Sequence, residues 1–286
     1  MDSIGCPQVL LARSDRGEVR WLAESPGLAE EVRPALEDLC KRFGERPVGA
    51  RCPRAVFARP LGRKQVVIAI AADLGIDSSG APTSMGFHFV LLPLRVYEAH
   101  GGDPFYLAQN VPPVWDRRGA LPLVELPGPK RRTVEDVCAS LKREDGPTLL
   151  GATQGLVDGS AVAWIRPYDD AIVPSLWQLL PTRARTELWP ASFAFSNQLR
   201  FDAVVLPEPD KENLTRRYLS EEQAANYPEG RYELSVQSAA EAGDQAWLDE
   251  VLSRRGRRDT WRMGILLIMG IVILYAALSL MRALGR

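Results

Sequence analysis

The chain has 286 residues, 46% of them hydrophobic and 25% charged, with a formal net charge of -1. That balance supports a buried core and excludes a disordered chain, and it lacks the basic excess on which nucleic-acid binding draws. The four cysteines, Cys6, Cys40, Cys52 and Cys138, form no CxxC pair and have no histidine at ligand spacing. Reduced thiols are therefore expected, with no zinc site, no disulfide framework and no cofactor.

The opening MDSIGCPQVLLARSDRGEV has no positively charged start and only a short apolar stretch, so no secretory signal is expected. PQVLLAR and EVRWLAE read as the first strands. SPGLAEEVRPALEDLCKRFG predicts a helix capped by Ser25, with Pro26 in its first turn and Glu30 and Glu31 near its positive end. Leu28, Val32, Leu36, Leu39 and Phe43 fall on one face, and Gly44 stops the helix. KQVVIAIAAD and GFHFVLLPLRVY are nearly continuous apolar runs and predict interior strands, the second bent or edged at Pro93.

The Pro- and Gly-rich stretch from GGDP to ELPGPKRR predicts loops. Helix returns at TVEDVCASLKRE, where Thr133 and Asp136 stand in a capping-box relation. PTLLGATQGLVDG predicts a helix or loop, SAVAWIRP a strand, DDAIVPSLWQLLP a helix and RFDAVVLP a strand. An α+β (mixed α/β) globular domain is therefore expected over residues 1–207, with a subdomain boundary near 120–132 as one option. Beyond Pro207 acidic residues outnumber basic ones and long apolar runs stop, which predicts a partly helical connector over 208–258. In its helical part, Ala246, Trp247 and Val251 form a weak apolar face.

The end of the chain is different in kind. From Met263 to Met281 about 19 consecutive residues carry no charge, and a helix of that length covers roughly 28 Å, the thickness of a bilayer's hydrocarbon core. A single C-terminal transmembrane helix is expected over 263–281, with a short tail at 282–286. Arg254, Arg255, Arg257, Arg258 and Arg262 precede the span, whereas Arg282 and Arg286 follow it. That asymmetry places the large N-terminal part in the cytoplasm, at the inner membrane if the source is bacterial. The same arginines, with Trp261 at headgroup level, are expected to touch an anionic leaflet.

Catalytic candidates are few. The two histidines are His88 and His100. His88 lies between Phe87 and Phe89 in an apolar strand and reads as a packed, hydrogen-bonded side chain, while His100 reads as a solvated loop residue. GxSxG, HExxH and P-loop patterns are absent, and Gly151, Gly155 and Gly159 suit turns and close helix packing. Asp169 and Asp170 sit at a helix start, where capping accounts for at least one of them. The stretch LLPTRARTELWPASFAF is the most distinctive of the soluble part: Arg183, Arg185 and Trp189 have the composition of a protein-binding surface.

GFHFVLLPLRVY, together with LLGATQGLVDGSAVAWIRP running into LWQLLPTRARTELWPASFAF, resembles the N-terminal and middle modules of prokaryotic GTPase-associated proteins. The resemblance spans Gly86 to Pro207 and carries over no catalytic residue. It implies an adaptor that works beside a GTPase. The sequence thus predicts a tail-anchored, single-pass membrane protein whose cytoplasmic domain binds a protein partner. The second reading is a membrane-tethered hydrolase that uses Cys138 or His88 in a site assembled by folding.

Overall fold

A computed structural model describes residues 4–76, 82–112, 114–209, 218–253 and 269. The order begins with β1 (Gly5–Cys6), β2 (Gln8–Ser14) and β3 (Val19–Glu24), a 3-10 turn at Glu30–Val32, and α1 (Arg33–Arg42). Then come β4 (Ala55–Leu61), β5 (Gln65–Ile76), β6 (Pro82–Pro93), α2 (Leu94–Ala99) and α3 (Pro104–Gln109). The middle holds β7 (Gly119–Ala120), β8 (Val124–Glu125), α4 (Val134–Leu141), α5 (Gly146–Val157), β9 (Ala161–Ile165), α6 (Ile172–Leu179) and α7 (Thr182–Glu187). It closes with β10 (Pro190–Ala191), β11 (Ala203–Leu206), β12 (Tyr218–Leu219), α8 (Glu221–Ala225), α9 (Arg231–Glu241) and α10 (Gln245–Leu252).

The expected mixture of helix and strand is present, organised on one ten-stranded sheet in the order β12-β9-β11-β10-β4-β5-β6-β2-β3-β7. Its centre, β4 to β3, is antiparallel throughout. β10 runs antiparallel to β4, and β11, β9 and β12 continue parallel from it. The sheet passes from the first half of the chain into the second without a break, so the strands on either side of 120–132 share one layer. β1 and β8 form a separate two-stranded ladder.

β2 is buried on both faces, which its run of Val and Leu requires. Val9 and Leu11 join the main core, where Phe43 stacks on Phe57 and meets Phe87 and Phe195 edge-on. Leu10 and Ala12 point the other way, into a small cluster with Leu22, Ala23 and Leu121.

Several expectations need correction. The first helix starts later than Ser25: Ser25 Oγ instead accepts from Gln8 N at 3.0 Å and donates to Pro122 O at 3.0 Å, and Pro34 takes the first-turn position. Its apolar face and its stop are as expected, with Gly44 at φ 103°. The polar TRARTE, Thr182–Glu187, forms α7.

The larger correction concerns 208–258. Its described part, 218–253, packs onto the domain: Ala224, Tyr232, Val236, Ala239, Ala240, Leu248, Val251 and Leu252 are buried in the main core. α8 and α9 lie on α5, and α9 also lies on α4. The buried side of α10 is Leu248, Val251 and Leu252, while Trp247 faces outward. A connector does not bury a stripe of this kind; these helices cover one side of α4 and α5.

No helix among the described residues is long and apolar enough to cross a membrane. The span expected over 263–281, apart from Met269, lies outside the described residues, as do Arg254, Arg255, Arg257, Arg258, Trp261 and Arg262.

Candidate functional site

The turn between β2 and β3, the end of α1 and the loop from Glu45 to Arg51 enclose a cleft of about 750 Å³. Arg13, Arg16, Lys41, Arg46 and Arg51 line it against Asp15 and Glu45. Five cationic side chains facing two carboxylates make it a positive concavity within a nearly neutral chain.

Two of the arginines build the walls. Arg13 points from β2 into the main core and is buried. Its Nη1 donates to Cys40 O and its Nη2 to Gly44 O at 2.7 Å, so it takes up an open carbonyl of the last turn of α1 and the carbonyl of the glycine that follows the helix. Burial lowers the pKa of this guanidinium, and its Cζ lies 5.6 Å from the Phe87 ring centre.

Arg46 donates from Nη1 to Asp73 Oδ1 at 2.5 Å and lies over the Phe195 ring at 5.4 Å. Asp73 Oδ2 also accepts from Cys52 N at 2.9 Å, which fixes the loop to the start of the sheet's centre. Arg46 Nε and Nη2 are buried without a hydrogen bond among the described residues; Nε lies 3.9 Å from Asp15 Oδ1, and the Phe195 face and this ion pair act on the same guanidinium. Arg16, Lys41 and Arg51 line the mouth, and Val48 is fully exposed there. The arrangement offers charge and concavity to a carboxylate- or phosphate-bearing surface.

The residues expected to bind a partner are not gathered into one surface. Arg185 is buried, with Nη2 at 2.9 Å from Asp103 Oδ2 in a pair that is almost wholly desolvated. It holds α7 to the start of α3 and is unavailable to a partner, so its expected role is withdrawn. Trp189 is half-buried, stacked on Tyr97 with centroids 6.0 Å apart. Arg183 is exposed and pairs along its own helix with Glu187 at 3.6 Å.

His88 is buried and hydrogen-bonded through Nε2 to Gln8 Oε1 at 2.6 Å, as expected of a packed histidine. Burial pushes its pKa down to about 4. His100 is not a free loop residue: its Nδ1 and Nε2 each lie 2.7 Å from a carbonyl, those of Val96 and Pro127. Cys138 Sγ faces Ala240 O at 3.4 Å, whereas His88 lies against Gln8 and Trp115, so folding does not pair them. The other three thiols are buried, and burial raises Cys6 to about 11 and also raises Cys40 and Cys52, which suppresses the thiolate a nucleophile needs. Asp169 Oδ1 accepts from Ala171 N at 2.8 Å and Ile172 N at 3.2 Å, the expected capping role.

The sequence reading missed the cleft. Its signal was the local density of cations in CKRFGERPVGAR, but Arg13 arrives from a strand far away in sequence. The chain matches no protein-family model and no curated relative.

Proposed function

We propose that this is a C-terminally anchored membrane protein whose folded body holds a protein partner through an acidic surface seated in the basic cleft. The supporting observation is the cleft itself: Arg16, Lys41 and Arg51 stand at its mouth, over walls already fixed by Arg13 and Arg46. The span over 263–281 and the arginines before it would keep that cleft beside the inner face of the membrane. The body is then a binding module, and a GTPase is the partner class that the resemblance implies.

The test uses the full chain extracted from its native membranes in mild detergent. A specific partner should co-purify, dissociate as salt is raised, and be lost with the triple variant Arg16→Glu, Lys41→Glu, Arg51→Glu, which leaves the wall residues intact. Identifying the captured protein decides whether it is a GTPase. Retention of the partner by the triple variant would overturn the assignment to the cleft. Truncation after Arg258 should release the chain to the soluble fraction; continued pelleting in high salt would overturn the anchor.

A further inference from the structure

On the opposite side of β6 from the aromatic core, a second concavity of about 460 Å³ has His88 in its lining, with Ile70, Ala72, Val111 and Trp115. His88 pairs with Leu10 on β2 and with Ile70 on β5, so its ring rises from the middle of the sheet. Trp115 lies edge-on to it, with centroids 6.2 Å apart. Gly86 makes that approach possible: a Cβ there would come within 2.8 Å of the Trp115 ring.

The protonation of the ring follows from its neighbour. Gln8 Nε2 donates to Pro122 O at 2.8 Å, which leaves Oε1 as the atom that faces His88 Nε2 at 2.6 Å. An amide oxygen only accepts, so His88 Nε2 carries the hydrogen and Nδ1 presents a lone pair. Nδ1 is buried and has no hydrogen-bond partner among the described residues. A buried acceptor with no donor is costly unless something supplies one. Among the described lining residues Arg54 brings the one formal charge, and its Nη2 is held to Ala108 O at 2.9 Å.

We propose that this concavity is a small-molecule site for a planar aromatic ligand that donates an N–H to His88 Nδ1 and carries a negative charge toward Arg54. The volume falls in the range of ligand pockets, and apolar walls with a few fixed polar groups are what such sites offer. Trp115 supplies an aromatic wall, and Gln8 holds the tautomer that makes the acceptor. This inference goes beyond the docking role and stands whether or not the basic cleft holds a partner.

The test is ring nitrogen NMR on the full chain in detergent with 15N-labelled histidine, where the two histidines give two ring systems. Indole-5-carboxylate serves as probe, and 1-methylindole-5-carboxylate, which lacks the donor, as its control. The His88 Nδ1 resonance should start at the value of an unbonded acceptor nitrogen and move saturably with the probe. The N-methyl control should bind about tenfold more weakly or not at all, the loss expected for one hydrogen bond to a buried acceptor. Ala72→Phe should fill the space and abolish the shift while the His88–Gln8 hydrogen bond persists.

An Nδ1 resonance already hydrogen-bonded in the free protein and unmoved by the probe would assign the atom to a trapped water and overturn the proposal. Equal binding of probe and control would overturn it as well. Both of these readings are made on the unaltered chain, so they hold even if the Ala72 variant fails to fold.

Discussion

At His88 the ring's surroundings decide its charge. Desolvation puts the folded-state pKa near 4, against 6.5 for an unperturbed imidazole. Between those values the unfolded chain binds a proton that the folded chain refuses, so stability rises with pH across this window. It is fully present above about pH 6.5 and falls as the pH drops toward 4, by about 3 kcal/mol in all. Denaturant titrations from pH 7 to pH 4 should show that loss, and His88→Gln, which has no ring to protonate, should flatten it. An unchanged slope in the variant would assign the acid sensitivity to other groups. The sequence indicated that this histidine would be packed, from its place between Phe87 and Phe89. It gave no sign of Gln8 as partner, because strand register brings the two together across 80 positions. Arg185 misled for the same reason in reverse: a composition suited to an interface is also what a desolvated ion pair uses, and Asp103 is far away in the chain.

Helix ends carry the next level of organisation, and arginines from elsewhere in the fold serve them. Arg13 answers the carbonyls at the end of α1, Arg54 reaches Ala108 O at the end of α3, and Arg132 takes the end of α6. Arg132 is buried, donating from Nη1 to Gln178 O at 3.0 Å and to Leu180 O, and from Nη2 to Thr182 Oγ1 at 2.7 Å. Arg132→Met keeps the length of the stem but strands those acceptors. We expect a loss on the order of 2–3 kcal/mol, seen as a fall of roughly 5–10 °C in Tm. Arg183→Met, on an exposed stretch of α7, should stay within about 0.5 kcal/mol of the parent. Equal effects of the two would refute the capping role. Such caps were not legible in the sequence, whereas the helices themselves largely were. Local signals placed α4, whose Thr133–Asp136 capping box is present, the apolar period placed α1, and α6 falls within the stretch DDAIVPSLWQLLP expected to be helical. Gly151 belongs to this scale too: α5 and α8 approach so closely that a Cβ there would sit 1.9 Å from Ala224 O.

For the molecule as a whole, the question is where the folded body stops. Acidic composition after Pro207 suggested a tether, yet Tyr232, Val236, Ala239 and Ala240 keep a helical period within it, and that period outweighs net charge because burial acts on the face rather than on the average. α9 and α10 are locked by specific contacts: Tyr232 donates to Leu179 O at 2.7 Å, Val134 N donates to Gln245 Oε1 at 2.9 Å, and Arg131 pairs with Asp249. Arg166 bridges Asp145 and Asp169 at 3.2 and 3.4 Å and also holds Glu221, which ties α8 to the starts of α5 and α6. Burying Tyr232, Val236, Leu248, Val251 and Leu252 contributes about 10 kcal/mol as an upper figure, comparable to the whole stability of an ordinary domain. A chain cut after Pro207 should therefore expose the surface of α4 and α5 and aggregate or lose cooperative unfolding. A chain cut after Ser253 should keep a single sharp transition in denaturant. If the shorter fragment instead unfolded at the same midpoint as the longer one, α9 and α10 would be an appendage after all, and the folded body would end near Pro207 rather than near Ser253.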